Sequence, residues 1–385
     1  MKNIEINHDR RVDYDIVIIG GGLAGLTSAI HLAMNKFSVL IIEKNEYPQH
    51  KVCGEYVSNE VLPYLKQLGL EPHKLGAVTI DQFEMSTRKG KLLRTNLPLG
   101  GFGLSRYVFD KAMAENARSK GAKIIHDVVT DISFSQDIFT VKTKLKKIIT
   151  SRVAIGAYGK RAALDKKLNR PFINYRSPYL AVKTHAKGKF QENLVALHNF
   201  KGGYCGVSMV ENQELNLCYI TDYKSFKKYK DINDFQHKVL EKNRFLKQIF
   251  TTANPVFDDP LSISQISFAP KRPVDHHILM CGDTAGLIHP LCGNGMGMAI
   301  RSARMAAQLI TKFLRGEIKS RKTMEQQYRK AWRKEFHVRL RAGSIIAFLF
   351  ERDWLAEFLV EVIRIFPGTL PKIISYTHGQ KMAIE

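Results

Sequence analysis

The chain has 385 residues, 44% of them hydrophobic, and a formal net charge of +23; that length suffices for one large or two interlocked domains with a full core. No apolar run reaches the length of a membrane span, and neither a repeat period nor a low-complexity segment appears. The densest basic clusters, Lys142 to Lys147 and Lys224 to Lys230, hold few charges and match no nucleic-acid motif, so no nucleic-acid partner is expected and the basicity reads as a general attraction to anions.

The N-terminus, Met1 to Arg11, is polar and charged, unlike a secretory leader. Five cysteines (Cys53, Cys205, Cys218, Cys281 and Cys292) have neither metal-cluster spacing nor the even count of a disulfide framework. We therefore expect a reducing, cytoplasmic setting and no metal.

Tyr14 to Ile19, YDIVII, reads as a buried strand that runs into Gly20-Gly21-Gly22-Leu23-Ala24-Gly25. A helix pattern follows from Leu26 to about Asn35. A second apolar strand, Phe37 to Ile42, ends in Glu43 and Lys44. This is a β-α-β unit with an acid closing its second strand. Gly20 permits the tight turn, Gly22 lets a pyrophosphate approach the backbone, and Gly25 lets the helix pack close to the strand. The helix start, with Leu23 and Ala24, offers N–H groups to phosphates. Glu43 suits a ribose diol and disfavours a 2′-phosphate.

Further along come Lys51-Val52-Cys53-Gly54-Glu55-Tyr56-Val57-Ser58, then Leu104-Ser105-Arg106 before a helix expected over Tyr107 to Lys120. Ile155-Gly156-Ala157-Tyr158-Gly159-Lys160 follows, and then Gly202-Gly203-Tyr204-Cys205-Gly206-Val207 before a strand from Leu215 to Thr221. A buried strand, His277 to Cys281, ends in Gly282-Asp283. A loop carrying Pro290, Gly293 and Gly295 leads through Met296 and Gly297 into a helix from about Met298 to Leu314. After Lys322 the pattern is helical, with Leu355, Phe358, Leu359, Val362 and Phe366 at helical spacing.

The pair GGGLAG and CGDTAGLIHPLCGNGMGMAI resembles the flavoprotein superfamily of geranylgeranyl reductases and p-hydroxybenzoate hydroxylase-like monooxygenases. The resemblance implies FAD as cofactor. It gives Asp283 the ribitol chain, the helix start at Gly295 to Gly297 the flavin pyrimidine edge, and Arg106 a contact to FAD. GAYG resembles the family's GADG, but Tyr158 replaces the Asp, which speaks against hydroxylase-style use of a nicotinamide donor; the reductant is NAD(P)H or another reduced carrier. Cys53-Gly54-Glu55 resembles the CGE segment of the reductases, which lies against the flavin. Two readings of Cys53 stand: a thiol that protonates substrate carbon, and a small residue that packs the loop. Tyr204 matches the Tyr of a YxW-type strand lining the family's substrate cavity, or is a core aromatic; Gly206 stands where Trp is usual. The flavin halogenases fit less well, since WxWxIP is missing and Trp332 and Trp354 are the only tryptophans.

The expected fold is α/β: a Rossmann-type FAD-binding domain (10–75, 100–165 and 265–325) interleaved with a smaller strand-rich substrate domain (76–99 and 166–264), and a C-terminal helical segment (326–385). The expected activity is FAD-dependent oxidation or reduction of a hydrophobic small molecule, in the reductase form by hydride from flavin N5 to a carbon–carbon double bond. The alternatives are a monooxygenase acting through a flavin hydroperoxide and a non-catalytic FAD-binding protein with an anionic partner. The C-terminal helices read as packing, as a lid, or as peripheral contact with a membrane surface.

Overall fold

The computed structural model describes residues 12–175 and 177–383; Met1 to Arg11, read above as polar, lies outside them. Two sheets organise the chain. The first runs in the order Val274–Asp275, Ile278–Met280, Ile148–Gly156, Tyr14–Ile19, Val39–Glu43, Lys123–His126, and its five neighbours from Ile278–Met280 onward are parallel. Its central strand is β-branched and closed on both faces, with Ile16, Val17 and Ile18 fully buried, as a parallel sheet under two helical layers requires. The helices Leu23–Met34 and Gly295–Leu314 pack against each other, as do Leu23–Met34 and Arg106–Ser119.

The glycine turn comes out tighter than the sequence spacing suggests. The first helix begins at Leu23, because Gly22 already serves as its extended N-cap and Leu26 N donates to Gly22 O at 2.9 Å. The following strand begins at Val39, because Lys36 turns back at φ +69° and Phe37 N bonds to Leu32 O.

The second sheet is largely antiparallel and runs Asn254–Pro255, Tyr179–Lys187, Glu214–Asp222, Gly203–Val210, Leu194–Phe200, Val78–Ser86, Leu92–Gly103, Tyr56–Ser58. Along Leu194–Phe200 the side chains alternate. Ala196 and Phe200 join the core beneath Phe235 and Leu246, while Val195 and Leu197 face a large cavity. The final three helices, Arg321–Phe350, Asp353–Ile365 and Thr369–Thr377, close over that cavity.

Candidate active site

The cavity, about 1030 Å³, runs unbroken from the carboxyl edge of the parallel sheet to the C-terminal helices. Ligands favour that edge in open α/β sheets. Gly20 makes the turn at φ +100°, where a Cβ would lie 2.4 Å from the Ala157 carbonyl oxygen; a Cβ on Gly25 would lie 2.0 Å from Gly20 O. Both glycines stand behind the cavity wall. Gly22, Leu23 and Ala24 form it. Glu43 is buried beside them, its Oε2 accepting from Gly21 N at 2.6 Å and its Oε1 from Asn45 N at 3.1 Å. Glu43 and the exposed Lys44 both line the cavity.

Asp283 reaches the same cavity from the far side of the sheet, together with Gly293, Gly295 and Met296. Lys271 lies behind it, donating to the Asp283 and Lys160 carbonyls at 2.7 Å each. Gly297 is placed differently from the sequence reading. A Cβ there would meet Asn294 Oδ1 at 2.2 Å and Glu60 Oε1 at 2.6 Å, so its small size serves helix packing and not the cavity wall.

Arg106 borders Gly22 and is clamped by Asp110 through two bonds of 2.7 Å. Lys51 donates to the same carboxylate at 2.8 Å. Burial pushes the Asp110 carboxyl up, but the Arg106 and Lys51 cations outweigh it and hold the group below its usual range. The guanidinium is thus fixed in direction before any ligand arrives.

The Cys53-Gly54-Glu55 loop forms the floor between these halves. Cys53 Sγ accepts Glu55 N at 3.5 Å, and Asn216 Nδ2 holds Cys53 O at 3.2 Å. Glu55 turns at φ +53° and is fully buried. Its carboxylate takes the buried Lys183 ammonium on one oxygen and His185 Nε2, at 2.7 Å, on the other. It also accepts Arg106 N at 2.8 Å. Burial pushes this carboxyl up, and the His185 hydrogen bond and Lys183 charge bring it below its ordinary value. The loop is therefore tied to strand Tyr179–Lys187 by a buried ion pair whose partners leave no lone charge. His50 comes close enough that one ligand atom each from His50, Glu55 and His185 fits within 4.8 Å. Lys183 already supplies the cation, and a metal ion would face that like charge.

Beyond the loop the cavity is apolar, walled by Phe83, Met85, Leu97, Leu197 and Ile220 and roofed by Ile346, Leu359, Leu370 and Ile374. Gly206 opens it: a Cβ would meet Leu197 Cδ2 at 3.5 Å and Cys218 O at 3.6 Å. Tyr204 lines this chamber with a buried hydroxyl that finds no hydrogen-bond partner among the described residues, and burial pushes its phenol well up. Its ring lies 6.0 Å from His289, which burial pushes down to about 4 and so keeps neutral.

The structure thus brings Gly22, Leu23, Ala24, Glu43, Lys44, Cys53, Gly54, Arg106, Tyr204, Asp283, Gly293, Gly295 and Met296 to one cavity. Sequence reasoning missed Lys183, His185 and His289. Lys183 and His185 lie 128 and 130 residues from Glu55; their one local signal was a Lys and a His following the apolar run Leu180 to Val182.

A family described as FAD binding domain matches residues 13–332. Digeranylgeranylglycerophospholipid reductase 1 from Methanosphaera stadtmanae is 28% identical over 363 residues, covering 88% of this chain and 86% of that relative. Flavin-dependent halogenase armH1 from Armillaria mellea is 24% identical, covering 79% of this chain and 66% of that one. Among solved structures, the flavin-dependent brominase Bmp2 superposes with a TM-score of 0.76 at 18% identity, over 94% of this chain and 93% of its own. The halogenase PltM with phloroglucinol and FAD gives 0.76 at 16%, over 89% and 78%. At those identities the two structures speak to fold alone.

Proposed function

We propose, from the premise that this chain belongs to the FAD binding domain family and works as an FAD-dependent oxidoreductase, that it reduces a carbon–carbon double bond in a long apolar small molecule. The observation that carries this is the chamber: one apolar cavity, continuous with the cofactor cleft, with the unpartnered Tyr204 phenol in its wall. The Methanosphaera relative, named as a reductase of a geranylgeranyl lipid, supports the same choice.

The residues fit FAD. A Cβ on Gly54 or Gly295 would meet nothing within 4 Å, and one on Gly22 only Arg106 Nη2 at 3.6 Å, so three backbone positions open on a cradle that side chains would fill. Gly22, Leu23 and Ala24 would hold the diphosphate, Glu43 and Lys44 the adenosine ribose, and Arg106, Asp283, Gly293, Gly295 and Met296 the flavin half. When bound and reduced, FAD supplies hydride from N5. NAD(P)H or another reduced carrier supplies its electrons. The chain does the rest. The apolar walls exclude water and align the substrate. Tyr204, kept neutral by burial, donates a hydrogen bond to the substrate's polar end. Cys53, its sulfur already accepting the Glu55 amide, has its S–H to give to the second alkene carbon.

The test is to photoreduce the FAD-loaded protein without oxygen and mix it separately with a polyunsaturated isoprenoid lipid and with oxygen. The expected result is flavin reoxidation by the lipid, with a saturated bond in the product. No reoxidation by the lipid without oxygen, with an oxygen atom found in the product when lipid and oxygen are added together, overturns the reading in favour of a monooxygenase.

A further inference from the structure

Among the described residues, half of the large apolar side chains left exposed fall between Val338 and Tyr376, about a tenth of the chain. The helix Asp353–Ile365 shows why this is not ordinary surface. It already buries one apolar face, Ala356, Val360 and Ile363. A helix that packs one stripe on a core normally turns polar residues outward. Here the outward stripe carries Trp354, Phe358 and Ile365, at i, i+4 and i+11, exposed by 71%, 66% and 69%. Phe366 extends it at 62%. Among the described residues no helix is long and apolar enough to cross a membrane.

Two observations identify the partner. The first is where the cavity opens. Ile345 and Tyr376 line the cavity yet are 60% and 64% exposed. They mark a mouth between the helices Arg321–Phe350 and Thr369–Thr377. The second is charge. The acids of the segment are occupied: Glu357 and Glu361 pair with Lys91, Asp353 with Arg88, and Glu351 takes the Tyr179 hydroxyl. Arg341, Arg352 and Lys372 are exposed within the same helical segment, Arg352 over the exposed Phe348 ring at 3.6 Å, on a chain of net charge +23. An exposed stripe of Trp354, Phe358, Ile365 and Phe366, with exposed cations in the same helical segment, matches the chemistry of an anionic bilayer interface: apolar acyl chains below, phosphates above.

We propose that this face seats on an anionic lipid bilayer, so that the cavity mouth meets the acyl region and an apolar substrate passes from membrane to chamber without crossing water. The proposal deepens the apolar-substrate reading by naming where that substrate comes from. The seat itself is tested without turnover. FAD-loaded protein is sedimented with phosphatidylglycerol vesicles and with phosphatidylcholine vesicles, and tryptophan emission is followed.

Trp332 is buried, so Trp354 is the tryptophan that responds. The expected result is a blue-shifted emission on phosphatidylglycerol, absent from Trp354→Ser, and binding roughly tenfold tighter than to phosphatidylcholine that weakens with salt. The exposed triple variant Trp354→Ser, Phe358→Ser, Phe366→Ser is expected to lose vesicle binding and keep its flavin absorbance. Two results overturn the proposal: wild-type protein that ignores both vesicles, or a dimer in velocity sedimentation that the triple variant abolishes while vesicles stay unbound, which assigns the face to a second copy. Either leaves the alkene experiment untouched, and a failed alkene experiment leaves vesicle binding untouched.

Discussion

A single hydroxyl separates a structural from a functional role for Tyr204. A buried, unpaired O–H costs the folded state about 1–3 kcal/mol relative to its being solvated in the unfolded chain. A core aromatic without need of that group would be Phe. Tyr204→Phe is therefore expected to leave the free protein as stable or up to about 1 kcal/mol more so by denaturant unfolding, because it deletes an unsatisfied donor. The same change is expected to raise the KM for substrate about five- to tenfold, the worth of one neutral hydrogen bond. A variant that loses stability with KM unchanged makes Tyr204 a packing residue. The Glu55 cluster shows the opposite economy at residue scale. Its charges are all matched, so its burial fixes the loop without demanding a ligand.

At the scale of the elements, the two glycines of the first turn separate fold from cofactor. Gly25 faces the backbone oxygen of Gly20 at a distance no Cβ tolerates, whereas Gly22 faces open cavity. Gly25→Ala is expected to disrupt the helix–strand contact and lower Tm by 5 °C or more. Gly22→Ala is expected to keep Tm of the flavin-free protein within about 1 °C while weakening FAD at least tenfold, because the added methyl takes the space of the diphosphate. Flavin titration beside thermal unfolding checks both. This part of the molecule was legible in the sequence because its signals are local. A β-branched run, a glycine spacing and a terminal acid lie within Tyr14–Glu43, and the second glycine helix within Ile278–Leu314. What was not legible is what the second sheet assembles. Lys183, His185 and Tyr204 reach the site only because Tyr179–Lys187 and Gly203–Val210 both pair with Glu214–Asp222. No periodicity encodes that Lys183 will meet Glu55. The helical spacing after Lys322 announced helices, but since Asp353–Ile365 is apolar on both faces, pattern alone could not say which face the core would take.

For the molecule as a whole, acid is the weak direction, and the cause lies on both faces of the second sheet. His198 points away from the cavity, bonded to Ser86 at 2.9 Å and stacked on Phe245. His289 sits by the chamber, its Nδ1 accepting Leu291 N at 3.4 Å. Burial pushes each ring from 6.5 down to about 4. Between those values each of these two rings holds a proton in the unfolded chain that it refuses in the folded one, and His50, which burial also pushes down to about 4, acts in the same sense. The stability these neutral rings contribute is therefore whole above pH 6.5 and drains as the pH falls toward 4. Each proton is worth about 1.4 kcal/mol per pH unit, so the pair accounts for a slope of roughly 3 kcal/mol per unit. The carboxylates of Glu55 and Asp110, held below their usual range, act in the same sense once the pH reaches them. Net charge adds to it, because protonating the exposed histidines of a chain already at +23 increases self-repulsion. Urea unfolding at pH 7, 6 and 5 is expected to show that loss, and His198→Phe, which keeps the stack on Phe245, to remove close to half of the two-histidine share. If stability were flat from pH 7 to 5, the two rings would have to be charged in the folded state. The sheet would then need an anionic partner for each, and among the described residues the nearest carboxylate to His198, Glu84, stands 3.9 Å away with Arg94 already on it.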